Sequence, residues 1–292
     1  MLDLSVGGPV FRNAVINGNC RVAQRGSVAL TNNAYTYGGC DRIMAYPNSF
    51  TTMTGSVAQA SAGTSTASGN AQAATITTTG TGSMIFATRL EAKDCTRFNG
   101  KTITISAKVY HDVGSNVSTA IQLYKANAAD NFSGVTQLGT TISTGNAATG
   151  TYTQISATFT LGSTDASNGL MIFWQFQSIG AVTSKTFAIG DLQMTEGITV
   201  QQIEVPPYQM DEAACMRYYE AGTTGQSINN GTASTNVSHT HTYRVRKRAT
   251  PTLSVGLGST QYNGVDGFTS YQGAIAAGAW YNPAGFTSSA EL

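Results

Sequence analysis

Apolar residues recur at every second position through the middle of this chain. Ile103, Ile105, Ala107 and Val109 alternate with Thr102, Thr104, Ser106 and Lys108. Ile121 and Leu123 alternate with Gln122 and Tyr124. Ile155, Ala157, Phe159 and Leu161 alternate with Gln154, Ser156, Thr158 and Thr160. A period of two sends one set of side chains to a buried face and the other to solvent, so these runs are half-buried strands. Gly, Asn and Asp turns separate them, which indicates an antiparallel β-sandwich, and nothing reads as a βαβ unit. Gly169 to Gly180 is apolar on both parities before it alternates around Trp174 and Phe176. The Thr/Ala/Ser/Gly tract from Thr51 to Gly82 has the composition of a linker. Its SVAQAS and AATITTT runs nevertheless read as small-residue strands, because β-branched and small residues alternate in them.

Pro206-Pro207 interrupts this pattern. Neither residue can continue a helix interior or a central strand, so the pair marks a joint. Before it, Phe187 and Ile189 alternate as a strand. After it, Asp211 and Glu212 open a short helix, with Gly222 just past its end. The expected organisation is a lead over residues 1–13, a sandwich over 14–205, the joint and helix over 206–222, and a small C-terminal β domain over 223–292. Asn236 to Arg248 reads as one long strand with neither face strongly apolar. The last piece is therefore expected to lack a core of its own and to pack on the sandwich or on other copies.

Hydrophobic residues make up 41% of the 292 residues, enough for a sizeable core, whereas charged residues are only 11%. A typical soluble domain carries roughly 25%. The surface is thus built from Thr, Ser, Asn, Gln and Gly, which suits neutral sugars. A net charge of +1 gives no global field to steer nucleic acid or acidic membranes. No apolar run is long enough to span a membrane. No basic segment followed by an apolar core opens the chain, so no secretory signal is expected. An extracellular-looking surface without a signal fits a particle assembled in the cytoplasm and released by lysis. The four cysteines, Cys20, Cys40, Cys95 and Cys215, form no CxxC pair. They read as buried thiols, with a Cys20–Cys40 disulfide as the alternative.

Three segments carry a family resemblance. AVINGNCRVAQRG (Ala14 to Gly26) followed by YTYGGCDRI, then IGDLQMTEG followed by a Pro-Tyr joint and CMRYYE, then RATPTLSV (Arg248 to Val255) resemble, in that order, the β-sandwich module of bacteriophage tail-fibre and related virion-fibre proteins. The chain departs from that family at Cys20, where an aromatic is common, and at Cys40, where a small residue is common. The resemblance implies a jelly-roll sandwich, a virion location, other virion proteins as partners, a homotrimer, and host surface polysaccharide as target.

No GxSxG elbow, HExxH or P-loop is present, and the acidic residues are scattered, so the chain reads as a non-enzyme. His111 lies at a strand end on the inward parity and reads as a structural histidine. Outward parity places Tyr110, Tyr124 and Tyr152 toward solvent, with Gln122 and Gln154 beside them. Tyrosine faces stack on sugar rings and amides bond hydroxyls, so these five are candidate glycan-binding residues, and neighbouring strands could gather them into one patch. Cross-strand packing or subunit contact is the alternative. A second aromatic cluster, Tyr262, Phe268, Tyr271, Trp280 and Tyr281, is either a receptor tip or a trimer core. His239 and His241 share a strand face. No cofactor is required, but three chains around an axis would bring six imidazoles to one metal ion; two polar residues on an exposed strand is the alternative. Arg244, Arg246, Lys247 and Arg248 form a basic cluster, suited to an acidic polysaccharide or an acidic neighbouring chain.

Overall fold

The computed structural model describes residues 12–223, 228–229, 235–256, 259–275, 280–281 and 285–292. The fold is all-β and antiparallel with short helices. Two compact units divide the chain, one ending at Pro206, to which Leu292 also belongs, and one from Pro207 to Glu291.

Among the described residues the first unit contains twelve strands: β1 (Val28–Ala29), β2 (Thr36–Tyr37), β3 (Met44–Asn48), β4 (Thr52–Ser61), β5 (Asn70–Thr79), β6 (Gly82–Leu90), β7 (Thr102–His111), β8 (Val117–Ala128), β9 (Asn131–Ala147), β10 (Thr153–Thr160), β11 (Leu170–Ile179) and β12 (Val182–Glu196). A one-turn helix, α1 (Ala92–Cys95), follows β6. The first sheet runs β1-β4-β5-β12-β7-β10 and the second β2-β3-β6-β11-β8-β9. Pairing is nested: β5 with β12, β6 with β11, β7 with β10, and β8 with β9. From β5 to β8 each connection crosses between sheets, β8–β9 is a hairpin within one sheet, and β9 to β12 crosses back. That is a jelly roll.

The core lies between the sheets. Ile103, Ile105, Ala107, Val109, Ile155, Ala157 and Phe159 face inward from the first sheet, and Ile121, Leu123, Trp174 and Phe176 from the second. The Thr/Ala tract forms β4 and β5, which pair along their full ten residues. His111 is wholly buried: its Nε2–H donates to the Ala147 carbonyl at 3.0 Å and its ring stacks on Phe187. All four cysteines are buried free thiols, and burial pushes the Cys95 thiol up to about 12.

One irregularity positions the site. In β12, Phe187 and Ile189 face the core, and so do Leu192 and Met194, so inward parity changes between them. A bulge with Asp191 at φ 50° makes the change and turns Asp191 to the outer face. Gly190 is required beside it, because a Cβ there would lie 2.7 Å from the Thr66 methyl. The N-terminal boundary also differs from the expected one. Asn13 donates to the Leu192 carbonyl at 3.0 Å, and the Arg12 and Asn13 amides donate to Glu204 at 2.8 and 3.3 Å, so both residues belong to the sandwich. Residues 1–11 lie outside the described residues.

The second unit opens with α2 (Tyr208–Met216), followed by β13 (Tyr219–Thr223), β14 (Ile228–Asn229), β15 (Thr235–Thr242), β16 (Thr252–Val255), β17 (Ser259–Asn263), β18 (Gly267–Ile275), β19 (Trp280–Tyr281) and β20 (Gly285–Ser289). They pair as β13-β20-β16, β14-β19 and β15-β18-β17. The helix is shorter than the sequence implied, because Tyr219 to Thr223 are taken into register with Gly285 to Ser289. The expected strand to Arg248 ends at Thr242. Beyond it Tyr243 turns inward and joins Phe268 and Phe286 in a small aromatic core, with Leu253 and Val255 at its edge. This unit therefore has a core of its own, contrary to the expectation from sequence.

Candidate functional site

On the outer face of the first sheet, register sets Gln154 beside Lys108 and Lys108 beside Gly190. Two residues farther along the same face, the Tyr110 and Tyr152 rings lie 5.2 Å apart, tilted by 31°. They pack over a floor of Ala62, Ala71, Ala73 and Ala188. Thr64, Thr66 and Ala67 from the β4–β5 loop form one wall of the adjoining groove. Gln201, Gln202 and Ile203, from the segment after β12, form the other. The groove encloses about 320 Å³.

Its electrostatics are balanced. Lys108 Nζ lies 3.2 Å from Asp191 Oδ2 and donates to the Ser65 carbonyl at 2.7 Å. Asp191 also accepts from the Ala67 amide at 2.9 Å, pinning the loop wall to the bulge. Gln154 Nε2 donates to the Ala107 carbonyl at 3.0 Å, Gln193 Nε2 to Gln201 O at 3.1 Å, and Gln201 Nε2 to Thr199 Oγ1 at 3.0 Å. The amide nitrogens are thus committed to the protein, and the three amide oxygens remain acceptors for a ligand. Burial pushes the Tyr152 hydroxyl up to about 12, so it is a neutral donor at physiological pH. The groove offers hydroxyl-accepting amides, tyrosine hydroxyls and ring faces, without net charge.

The five tyrosine and glutamine candidates do not form one patch. Tyr110, Tyr152 and Gln154 come together at this groove. Tyr124 and Gln122 face away from it, on the outer face of the second sheet. Alternation fixes which face of its own sheet a residue takes, and β8 and β10 lie in opposite sheets. On the second face the Tyr124 ring lies 5.0 Å from Phe173, and the Tyr35 and Tyr46 rings stack at 4.4 Å. Sequence reasoning singled out none of Lys108, Asp191, Gln193 and Gln201. The Gly190–Asp191 bulge is their only local signal.

In the second unit, the His239 backbone pairs opposite Ser270. Its side chain lies outside the described residues, as do those of Trp280 and Tyr281. The His241 ring packs 4.5 Å from Phe286 and 5.2 Å from Phe268. No group of three potential metal-ligating side chains converges among the described residues. The expected basic cluster is divided. Lys247 is 2% exposed, donates to Glu220 Oε2 at 2.7 Å and lies 4.6 Å from the Tyr243 ring centre. Arg246 stays at the surface, 3.5 Å from Asp266.

No family model matches this chain, and no curated protein matches it. Solved structures match this chain at low identity. One is a putative sugar binding protein from Bacteroides thetaiotaomicron VPI-5482, at 9% identity and a TM-score of 0.42 over 63% of this chain and 100% of that one. Another belongs to a study of promiscuous specificity in carbohydrate-binding modules of the β-sandwich superfamily. It shows 19% identity and a TM-score of 0.38 over 59% of this chain and 64% of that one. A third is the enzymatically active domain of tailspike protein 4 from bacteriophage CBA120, at 11% identity and a TM-score of 0.33, over 63% of this chain and 21% of that one.

Proposed function

We propose that this protein is a non-enzymatic component of a phage or phage-like virion fibre that binds host surface polysaccharide through the outer groove of the first sheet. The observation that carries the glycan reading is the juxtaposition of the Tyr110–Tyr152 pair with the Gln154, Gln193 and Gln201 amides, in a groove where, among the described residues, the one cation and the one carboxylate are paired with each other. Such a surface recognises neutral sugar rings and hydroxyls. The virion role rests on the sequence resemblance. A glycosidase needs two carboxylates flanking the scissile bond; among the described residues the groove lining contains only Asp191, already held by Ala67 and Lys108.

The test is binding of purified protein to immobilised host polysaccharide. Tyr110→Ala with Tyr152→Ala weakens binding and cell adsorption by about 100-fold in protein that still unfolds cooperatively. Unchanged adsorption refutes the reading, and release of soluble oligosaccharide refutes its non-enzymatic part. A structural or adaptor role without a receptor is favoured by one observation. Ile198, Val200 and Val205 are 75%, 40% and 45% exposed along the segment after β12, an apolar edge suited to another virion protein. Assembly as a homotrimer, with a metal ion at an axial pair of His239 and His241, belongs to the same proposal. Light scattering and elemental analysis of the purified protein test both parts.

A further inference from the structure

The outer face of the second sheet carries aromatic residues that the sandwich core does not use. Phe173 projects away from the core, opposite Gln122 on β8. Tyr124 packs on it at 5.0 Å and Tyr46 lies 6.5 Å away. Tyr124 donates to Gln122 Oε1 at 2.8 Å, and Gln122 Nε2 donates to Thr141 Oγ1 at 2.8 Å, which fixes ring and amide together. Gln177 donates to Gln175 Oε1 at 3.2 Å, leaving the Gln175 amide nitrogen as a free donor. Phe173 is 7% exposed and lies under Tyr124, so the ring presented beside Gln122 is that of Tyr124, and Tyr46 aligns with Gln175 through the buried Ile85. At the Arg89 end of this face Leu292 packs against the cluster and its carbonyl accepts from Arg89, whereas Tyr124, Gln122 and Gln175 stay partly exposed.

We infer that this face is a second glycan-binding surface, so that one sandwich holds two neutral polysaccharide segments on opposite sides. The two faces are separated by the whole jelly-roll core and share no residue. The half-buried Tyr124 ring lies beside the Gln122 and Gln175 amides, with Arg89 at the other end, on a sheet face that serves as a shelf rather than a groove. A shelf takes an internal stretch of a long chain, whereas a groove encloses part of one. Because the surfaces point in opposite directions, they engage separate strands or distant parts of one polymer, and their affinities multiply on a dense polysaccharide layer.

The experiment uses the full chain on an array of immobilised bacterial surface polysaccharides. Three variants are compared with the parent: Gln122→Ala with Gln175→Ala, which removes the amides and keeps every ring; Tyr124→Ala; and Tyr110→Ala with Tyr152→Ala. Each weakens apparent affinity by about 100-fold through loss of avidity, and combining the shelf and groove changes removes binding. A Gln122→Ala/Gln175→Ala curve superimposable on the parent overturns the inference, as does absence of binding to every polysaccharide. If the shelf variants lose binding and the groove variant does not, the shelf stands and the groove assignment falls.

Discussion

Replacing Asp191 separates the two contributions that hold the β12 bulge. At φ 50°, a residue with a Cβ loses roughly 1–2 kcal/mol, unless a short polar side chain bonds locally, as in Asp and Asn. The Asp191 carboxylate, 3% exposed, takes the Ala67 amide at 2.9 Å and faces Lys108 at 3.2 Å. Deleting it leaves that amide without its acceptor, at a cost of about 1–3 kcal/mol. Asp191→Ala incurs both penalties, about 2–5 kcal/mol. Asp191→Gly incurs only the second. Asp191→Asn keeps an oxygen for Ala67, tolerates the backbone and costs about 1 kcal/mol. Equilibrium urea unfolding, followed through the buried Trp174, reads these as midpoint shifts at unchanged slope. Polysaccharide binding should weaken in the same order, since the loop wall carrying Thr64 to Ala67 is released. Alanine no worse than glycine would remove the strain argument, and asparagine as costly as alanine would remove the anchoring argument.

In the second unit, Lys247→Met leaves the Glu220 carboxylate buried without its cation and costs about 3–5 kcal/mol, whereas Lys247→Met with Glu220→Leu recovers most of the loss; thermal unfolding of the three proteins checks this, and additive losses would refute it. Burial lowers the Lys247 pKa despite the opposing pull of Glu220. The unfolded chain therefore holds that proton more tightly, and this group's contribution grows as pH rises toward the unfolded value of 10.5. Opposing groups are pushed up to about 12: Cys95 from 9.0, and Tyr35, Tyr152 and Tyr243 from 10.0. Their contribution is complete below the unfolded values and is lost as pH rises through about 12. Because these groups outnumber Lys247, urea midpoints should fall between pH 9 and 12, with phenolate absorbance appearing at unfolding. Thiol titration should find no reactive cysteine in the native protein and four after denaturation, since all are buried; rapid native labelling of Cys20 or Cys40 would contradict the packing described.

Much of the sandwich was legible because β7, β8 and β10 turn their large apolar residues to the core; the other face meets solvent in β10 and carries covered small polar residues, Thr104 and Ser106, in β7. Ile103 to Val109 and Ile155 to Phe159 alternate for that reason. β9 gave no such signal: it is an edge strand whose Leu138 and Ile142 only partly bury. β11 looked ambiguous because both faces are packed, Trp174 in the core and Phe173 under the outer aromatics. Tyr110 and Tyr152 were legible as outward residues, and so was Tyr124. Their distribution over two sheets was not, because strand parity carries no information about strand order. Lys108, Asp191 and Gln201 meet through a bulge, a cross-strand neighbour and a returning segment, and no short-range pattern records those contacts. In the second unit, the inward turn of Lys247 depended on a partner, Glu220, 27 residues earlier.

The nested pairing has a consequence for synthesis. β12 is the last strand of the sandwich to leave the ribosome, yet it lies between β5 and β7 in the middle of the first sheet. Until residue 196 has emerged, β5 and β7 each present an open edge across the gap that β12 will fill. The sandwich therefore cannot be completed strand by strand from the N-terminus. A prematurely terminated chain lacks the centre of a sheet rather than its rim, and is directed toward aggregation or degradation instead of incorporation as a shortened subunit.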